Sequence, residues 1–158
     1  SAAFRSAVEG LGLDYVAEAD PETVARAADV IITVTPSQKP ILQKPWIKAG
    51  THISAMGADT KGKQELDTAL VAAARLFVDE AAQAVSIGEF QHAFAAGLIG
   101  PDALTSLGAV LDGVAEGRRT ADDVTIFDGT GVALQDLVIA DLAWRKALGT
   151  GAGVTVDY

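Results

Sequence analysis

Along the chain, apolar positions switch between helical spacing and short continuous runs. Phe4, Ala7, Val8 and Leu11 recur at helical spacing and predict an amphipathic helix over Ser1 to Gly10, stopped by Gly10 and Gly12. A short strand is expected near Asp14 to Ala17. Asp20-Pro21-Glu22-Thr23 then opens a helix, with a capping Asp, Pro at the first helical position and an acidic first turn. That helix ends near Ala28-Asp29.

Val30 to Val34 is an almost continuous β-branched run, expected to lie inside a parallel sheet covered by helices. Thr35-Pro36-Ser37 breaks it, and a Pro- and Lys-rich connection leads to a second strand, Thr51 to Ala55, ended by Gly57. Asp67 is the expected N-cap of a helix running through Ala74, with Leu66 packing on Val71. A third strand spans Arg75 to Val78, and two or three helices occupy Ala81 to Gly117. A fourth strand, Val124 to Phe127, ends in Asp128-Gly129-Thr130-Gly131. The final helix, from about Val132 to Leu148, is apolar on so much of its surface that burial on more than one side is expected. Alternation of strand and helix from the start is the pattern of an open, mostly parallel α/β sheet.

Composition narrows the function classes. The 158 residues are 49% hydrophobic, enough for one domain with a sizeable core. Twelve basic against 21 acidic residues give a net charge of −9, so no basic stripe exists to neutralise phosphates, and nucleic acid is set aside. Arg118-Arg119 reads as a solvated turn. With no cysteine, disulfides and thiolate chemistry are excluded. His52 and His92 lack the spacing of a helical metal pair; His52 reads as a satisfied strand residue and His92 as an exposed helical one. No apolar run reaches the length of a membrane span, and the first residues lack the basic and apolar regions of a signal peptide. A cytoplasmic location is the expectation.

Ligands of open parallel sheets bind outside the carboxyl ends of the strands. Three turns qualify: Thr35-Pro36-Ser37, Met56-Gly57-Ala58-Asp59 and Asp128-Gly129-Thr130-Gly131. The segment from Gly57 to Leu66 is the most loaded, placing Asp59 close in sequence to Lys61 and Lys63, where an ammonium can hold a carboxylate ionised. An ordinary solvated loop of mixed charge would look the same. The dinucleotide fingerprint GxGxxG is absent from any strand-to-helix junction, and Gly149-Thr150-Gly151-Ala152-Gly153 follows a helix, where a C-cap and tail explain it.

Four stretches, in order, carry a resemblance: Ala28 to Ser37 (ADVIITVTPS), Gly50 to Asp59 (GTHISAMGAD), Gly62 to Leu66 (GKQEL) and Ile126 to Asp136 (IFDGTGVALQD). Together they resemble the ornithine cyclodeaminase/mu-crystallin family over nearly the whole chain. The resemblance implies a Rossmann-like domain, with a mostly parallel sheet and helices on both faces, in an enzyme that uses NAD or NADP to oxidise an amino acid or reduce its imine. It implies that Asp59 moves protons at an amino acid or imino acid substrate and that Lys63 lies at the cofactor. Thr35, Met56, Gly57 and Ala58 would line the dinucleotide, with Gly129 and Thr130 facing nicotinamide and substrate. Members usually carry a substrate domain and a glycine-rich loop upstream. The resemblance therefore implies an N-terminally truncated chain, with residues 1–130 a partial NAD(P)-binding domain and 131–158 a helix and tail packing on a missing substrate and dimerisation domain. A homodimer is implied for the full-length protein, and inactivity for the fragment alone.

Thr60-Lys61 stands where ornithine-specific members have Cys-Pro, and Gly129 where they often have Ser. An imine reductase or amino-acid dehydrogenase is the leading expectation. An ammonia-releasing cyclodeaminase converting L-ornithine to L-proline is the alternative, and a non-catalytic α/β binding module a second one. The choice between NAD and NADP would be written upstream of Ser1, as would the glycine loop.

Overall fold

The computed structural model describes residues 2–154 and 156; the readings that touch Ser1, Thr155, Asp157 and Tyr158 lie outside them. Seven strands occur among the described residues: β1 (Val30–Thr33), β2 (Gln38–Leu42), β3 (His52–Ala55), β4 (Gln64–Leu66), β5 (Arg75–Val78), β6 (Leu104–Ser106) and β7 (Thr125–Asp128). Seven helices accompany them: α1 (Ala2–Glu9), α2 (Pro21–Ala27), α3 (Thr68–Ala73), α4 (Ala81–Ala84), α5 (Gln91–Ala95), α6 (Leu107–Leu111) and α7 (Ala133–Thr150). Five strands form one parallel sheet in the order β1-β3-β7-β5-β6, and β2 pairs with β4 in a separate parallel ribbon. The α/β expectation is met.

Local chemistry accounts for the helix starts. Asp20 accepts hydrogen bonds from the Glu22 and Thr23 amides, with Pro21 next to it, and Asp67 accepts one from Ala69. The core lies on one face of the large sheet, where Ile31, Ile53, Ile126, Leu76 and Val78 meet Leu70 and Val71 of α3 and Ala93 of α5. On the other face, Leu107 and Val110 of α6 line a cavity with Phe77 and Phe127.

Several expectations need correction. No strand forms at Asp14 to Ala17; the segment runs without a ladder partner among the described residues, and an extended chain alone does not make a sheet. The run at Val30 is not enclosed on both faces: β1 is an edge strand, and Val30 and Ile32 are exposed while Ile31 and Thr33 are buried. The Pro-rich connection contains β2, whose partner β4 and the short β6 also give no alternation signal in so few residues. Helix α7 has no buried residue; Leu134, Leu137, Ile139, Leu142, Trp144 and Leu148 are all exposed. His92 is half-buried rather than exposed, bonded to the Lys63 carbonyl at 3.1 Å. His52 is satisfied as expected, by Thr125 at 2.8 Å and Ser54 at 3.2 Å.

Candidate functional site

Because β1, β3 and β7 are neighbours and parallel, their carboxyl ends bring the three candidate turns side by side. Main-chain bonds continue past the strands and hold them in line: the Met56 amide donates to the Thr33 carbonyl at 2.8 Å, and the Gly129 amide to the Ala55 carbonyl at 3.1 Å.

After β3 the chain carries Asp59 onto the surface. Lys63 Nζ lies 2.5 Å from Asp59 Oδ1, and the Thr60 hydroxyl donates to the same oxygen at 3.0 Å. The Lys63 bond, then the Thr60 bond, hold the Asp59 carboxyl below its ordinary range. The loop is fixed from beneath by Gln91. Its Oε1 accepts the Gly62 amide at 2.8 Å, and its amide nitrogen lies within reach of the Lys63 and Gly88 carbonyls at 3.3 Å and 2.9 Å. Nothing in the sequence singled out Gln91.

Thr35 is half-buried, its amide donating to Glu65 Oε1 at 2.6 Å and its hydroxyl accepting from Ser37 at 3.3 Å. Met56 is partly exposed, whereas Gly57 and Ala58 are buried as whole residues. A Cβ on Gly57 would strike the Thr35 carbonyl and the Glu65 carboxyl; one on Gly129 would strike the Met56 thioether. At Gly57 the obstacle is main chain, so only glycine lets that turn pack this closely; at Gly129 it is first the end of a flexible side chain. Asp79, at the end of β5, secures the last turn, accepting the Gly131 amide at 2.8 Å and lying 3.0 Å from the Thr130 hydroxyl.

Beneath the turns lie three buried carboxyls. Glu65 accepts the Thr35 and Gly57 amides, Glu89 those of Glu65 and Leu66, and Asp128 those of Glu89 and Phe90. Burial pushes Glu89 up to about 8 against the pull of its amide donors, and Asp128 up to about 7. Asp128 Oδ1 has no partner among the described residues. Sequence reading placed Asp128 in a turn and missed Glu65 and Glu89, because an isolated Glu beside an apolar residue carries no burial signal.

No group of three or more His, Cys, Asp or Glu among the described residues is arranged to hold a metal ion, and no described helix is long and apolar enough to cross a membrane. A dinucleotide fits the geometry in part. The adjacent turns offer closely packed glycine backbone, the Thr35 hydroxyl and the Met56 thioether, but the Gly57 and Gly129 amides are already committed inside the protein.

Residues 1–151 match the model of the ornithine cyclodeaminase/mu-crystallin family. Iminosuccinate reductase of Paracoccus denitrificans is 53% identical over 147 residues, which are 93% of this chain and 45% of that protein. Its crystal structure in complex with NAD+ superposes with a TM-score of 0.92 at 50% identity, covering 99% of this chain and 48% of the other. An archaeal alanine dehydrogenase dimer with bound NAD gives a TM-score of 0.91 at 37% identity, covering 99% and 49%. The chain spans about half the length of these relatives.

Proposed function

The chain belongs to the ornithine cyclodeaminase/mu-crystallin family, and on that premise we propose that it forms the cofactor-side part of an NAD(P)-dependent oxidoreductase acting on an amino acid or its imine. The observation that carries this reading is the Asp59–Lys63 pair, 2.5 Å apart, beside three adjacent strand-end turns, one of them closed at Gly57, where a Cβ would strike main chain. Residues 1–130 contribute to the dinucleotide-binding domain in this reading. Residues 131–158 pack on a substrate and dimerisation domain, supported by the exposed apolar side chains of α7. A cytoplasmic homodimer completes it, the dimer supported by the archaeal alanine dehydrogenase.

Thr35, Met56, Gly57, Ala58 and Gly129 would line the cofactor, with Lys63 at its edge and Thr130 towards the substrate. The cofactor, NAD or NADP, supplies hydride transfer to or from the substrate Cα when bound. Asp59 exchanges a proton with the substrate nitrogen. Its Oδ1 is occupied by Lys63 and Thr60, so Oδ2 performs the exchange. Held ionised at rest, the carboxylate is ready to accept a proton when an amino acid is oxidised, and in the reverse direction returns one to the nitrogen.

Iminosuccinate or a related imino acid is the leading substrate class, given the identity to iminosuccinate reductase, and pyruvate with ammonia the next. Assays of the complete gene product with NADH or NADPH and these substrates test the reading against L-ornithine with catalytic NAD. Stoichiometric oxidation of the reduced cofactor is expected. Ammonia release from ornithine without net cofactor change would place the protein with the cyclodeaminases.

A further inference from the structure

We infer that Glu65 is a positioning residue that sets the spacing of the Thr35 and Gly57 turns on which a dinucleotide rests; this deepens, and depends on, the functional reading above. The side chain is fully buried, so it cannot touch substrate or cofactor. Its two oxygens are divided between two strand ends: Oε1 accepts the Thr35 amide at 2.6 Å, following β1, and Oε2 accepts the Gly57 amide at 3.1 Å, following β3.

These amides lie where neighbouring parallel strands diverge and the sheet ladder no longer serves them. Turns at such a place are ordinarily left to water. A carboxylate presents two acceptors on one rigid plane, whereas a glutamine presents one acceptor and one donor, which would face an amide that also donates. Residue type and geometry therefore match.

Glu65 is itself held. It lies on β4, beside the β2 strand that follows the Thr35 turn, and its amide and that of Leu66 donate to Glu89 at 2.9 Å and 2.6 Å. Glu89 in turn donates its amide to Asp128 at 2.8 Å, next to the Gly129-Thr130 turn. The bracket thus reaches all three turns of the site. Gly57 leaves it no slack, since a Cβ there would meet both the Thr35 carbonyl and the Glu65 carboxyl.

The test uses the complete gene product and its Glu65→Gln variant, titrated with NADH by nicotinamide fluorescence, with amide hydrogen exchange read at Thr35 and Gly57 in the wild type. The variant is expected to keep its circular dichroism spectrum while its Kd for NADH rises about tenfold or more, as loss of a charge-assisted bond to a buried amide implies. KM for NADH should rise while kcat at saturating NADH stays within about threefold. Unchanged affinity in the folded variant overturns the inference, as does a fall in kcat with KM untouched. Should the variant not fold, exchange decides: slow exchange at both wild-type amides supports the bracket, and exchange as fast as in open loops contradicts it. A wild type that binds no dinucleotide fails the functional reading and this inference with it. Wild-type binding that the variant retains fails this inference alone.

Discussion

Lys63 Nζ sits 2.5 Å from Asp59 Oδ1, four residues along a loop that Gln91 holds from below. The pair closes within this one loop, and the ammonium favours the ionised form of Asp59.

Replacing Asp59 with Asn removes the proposed proton carrier while keeping the shape of the side chain. Turnover by the complete enzyme is expected to fall at least about a hundredfold, the usual worth of a positioned acid-base group. NADH binding should remain measurable by fluorescence. Undiminished turnover would refute the role.

Lys63→Met should move the Asp59 carboxyl back up towards its ordinary value, because the Lys63 bond is the largest influence holding it down. The sign is fixed: the ammonium favours the ionised form, which is lost as pH falls through the folded pKa, and without Lys63 that loss begins at higher pH. Carboxyl 13C resonance titration of Asp59 in both proteins reads the shift directly.

Gly57→Ala and Gly129→Ala should differ. At Gly57 the added methyl meets the Thr35 main-chain carbonyl, which cannot move without the strand, and a cost of about 1–3 kcal/mol is expected. At Gly129 it meets first the end of the flexible Met56 side chain, which can swing away, so the loss should be smaller. Urea unfolding of the two variants makes the comparison.

Glu89 gives stability a pH dependence opposite to that of a paired surface carboxylate. Its folded value is pushed up to about 8 from 4.5 by burial, so between these limits the folded chain binds the extra proton. Stability should therefore fall as pH rises through this window, with the full penalty above about 8. Glu89→Gln removes the titrating carboxyl; its one oxygen can take the Glu65 and Leu66 amides that Oε1 accepts, with loss of the second Glu65 contact, to Oε2. Relative to wild type, the variant should gain about 1 kcal/mol or more between pH 5 and pH 9 in urea unfolding. A parallel pH dependence of the two proteins would contradict this.

Much of the fold could be read from the sequence because its long elements obey one period each. Val30 to Val34 and Arg75 to Val78 are short apolar runs bounded by polar turns, and Asp20-Pro21 and Asp67 announce helix starts that the side chains confirm. The candidate site was reached by the same logic, since strand ends in a parallel sheet mark where ligands bind. What escaped was set by tertiary partners. β2 and β4 exist only because they pair with each other, Asp14 to Ala17 stays without a ladder partner, and Glu65, Glu89 and Gln91 are polar residues buried by contacts from elements far along the chain. No local periodicity encodes such contacts, although the amide bonds that Glu65 and Glu89 accept, and those that Gln91 accepts and donates, are what burial of a polar group requires.

Net hydride transfer between a nicotinamide cofactor and the Cα of an amino acid is followed by running the complete gene product with iminosuccinate and NADH deuterated on both C4 positions. Product aspartate analysed by mass spectrometry should carry one deuterium at Cα per cofactor oxidised. Aspartate without deuterium, or oxidised cofactor without aspartate, would rule out hydride transfer to Cα.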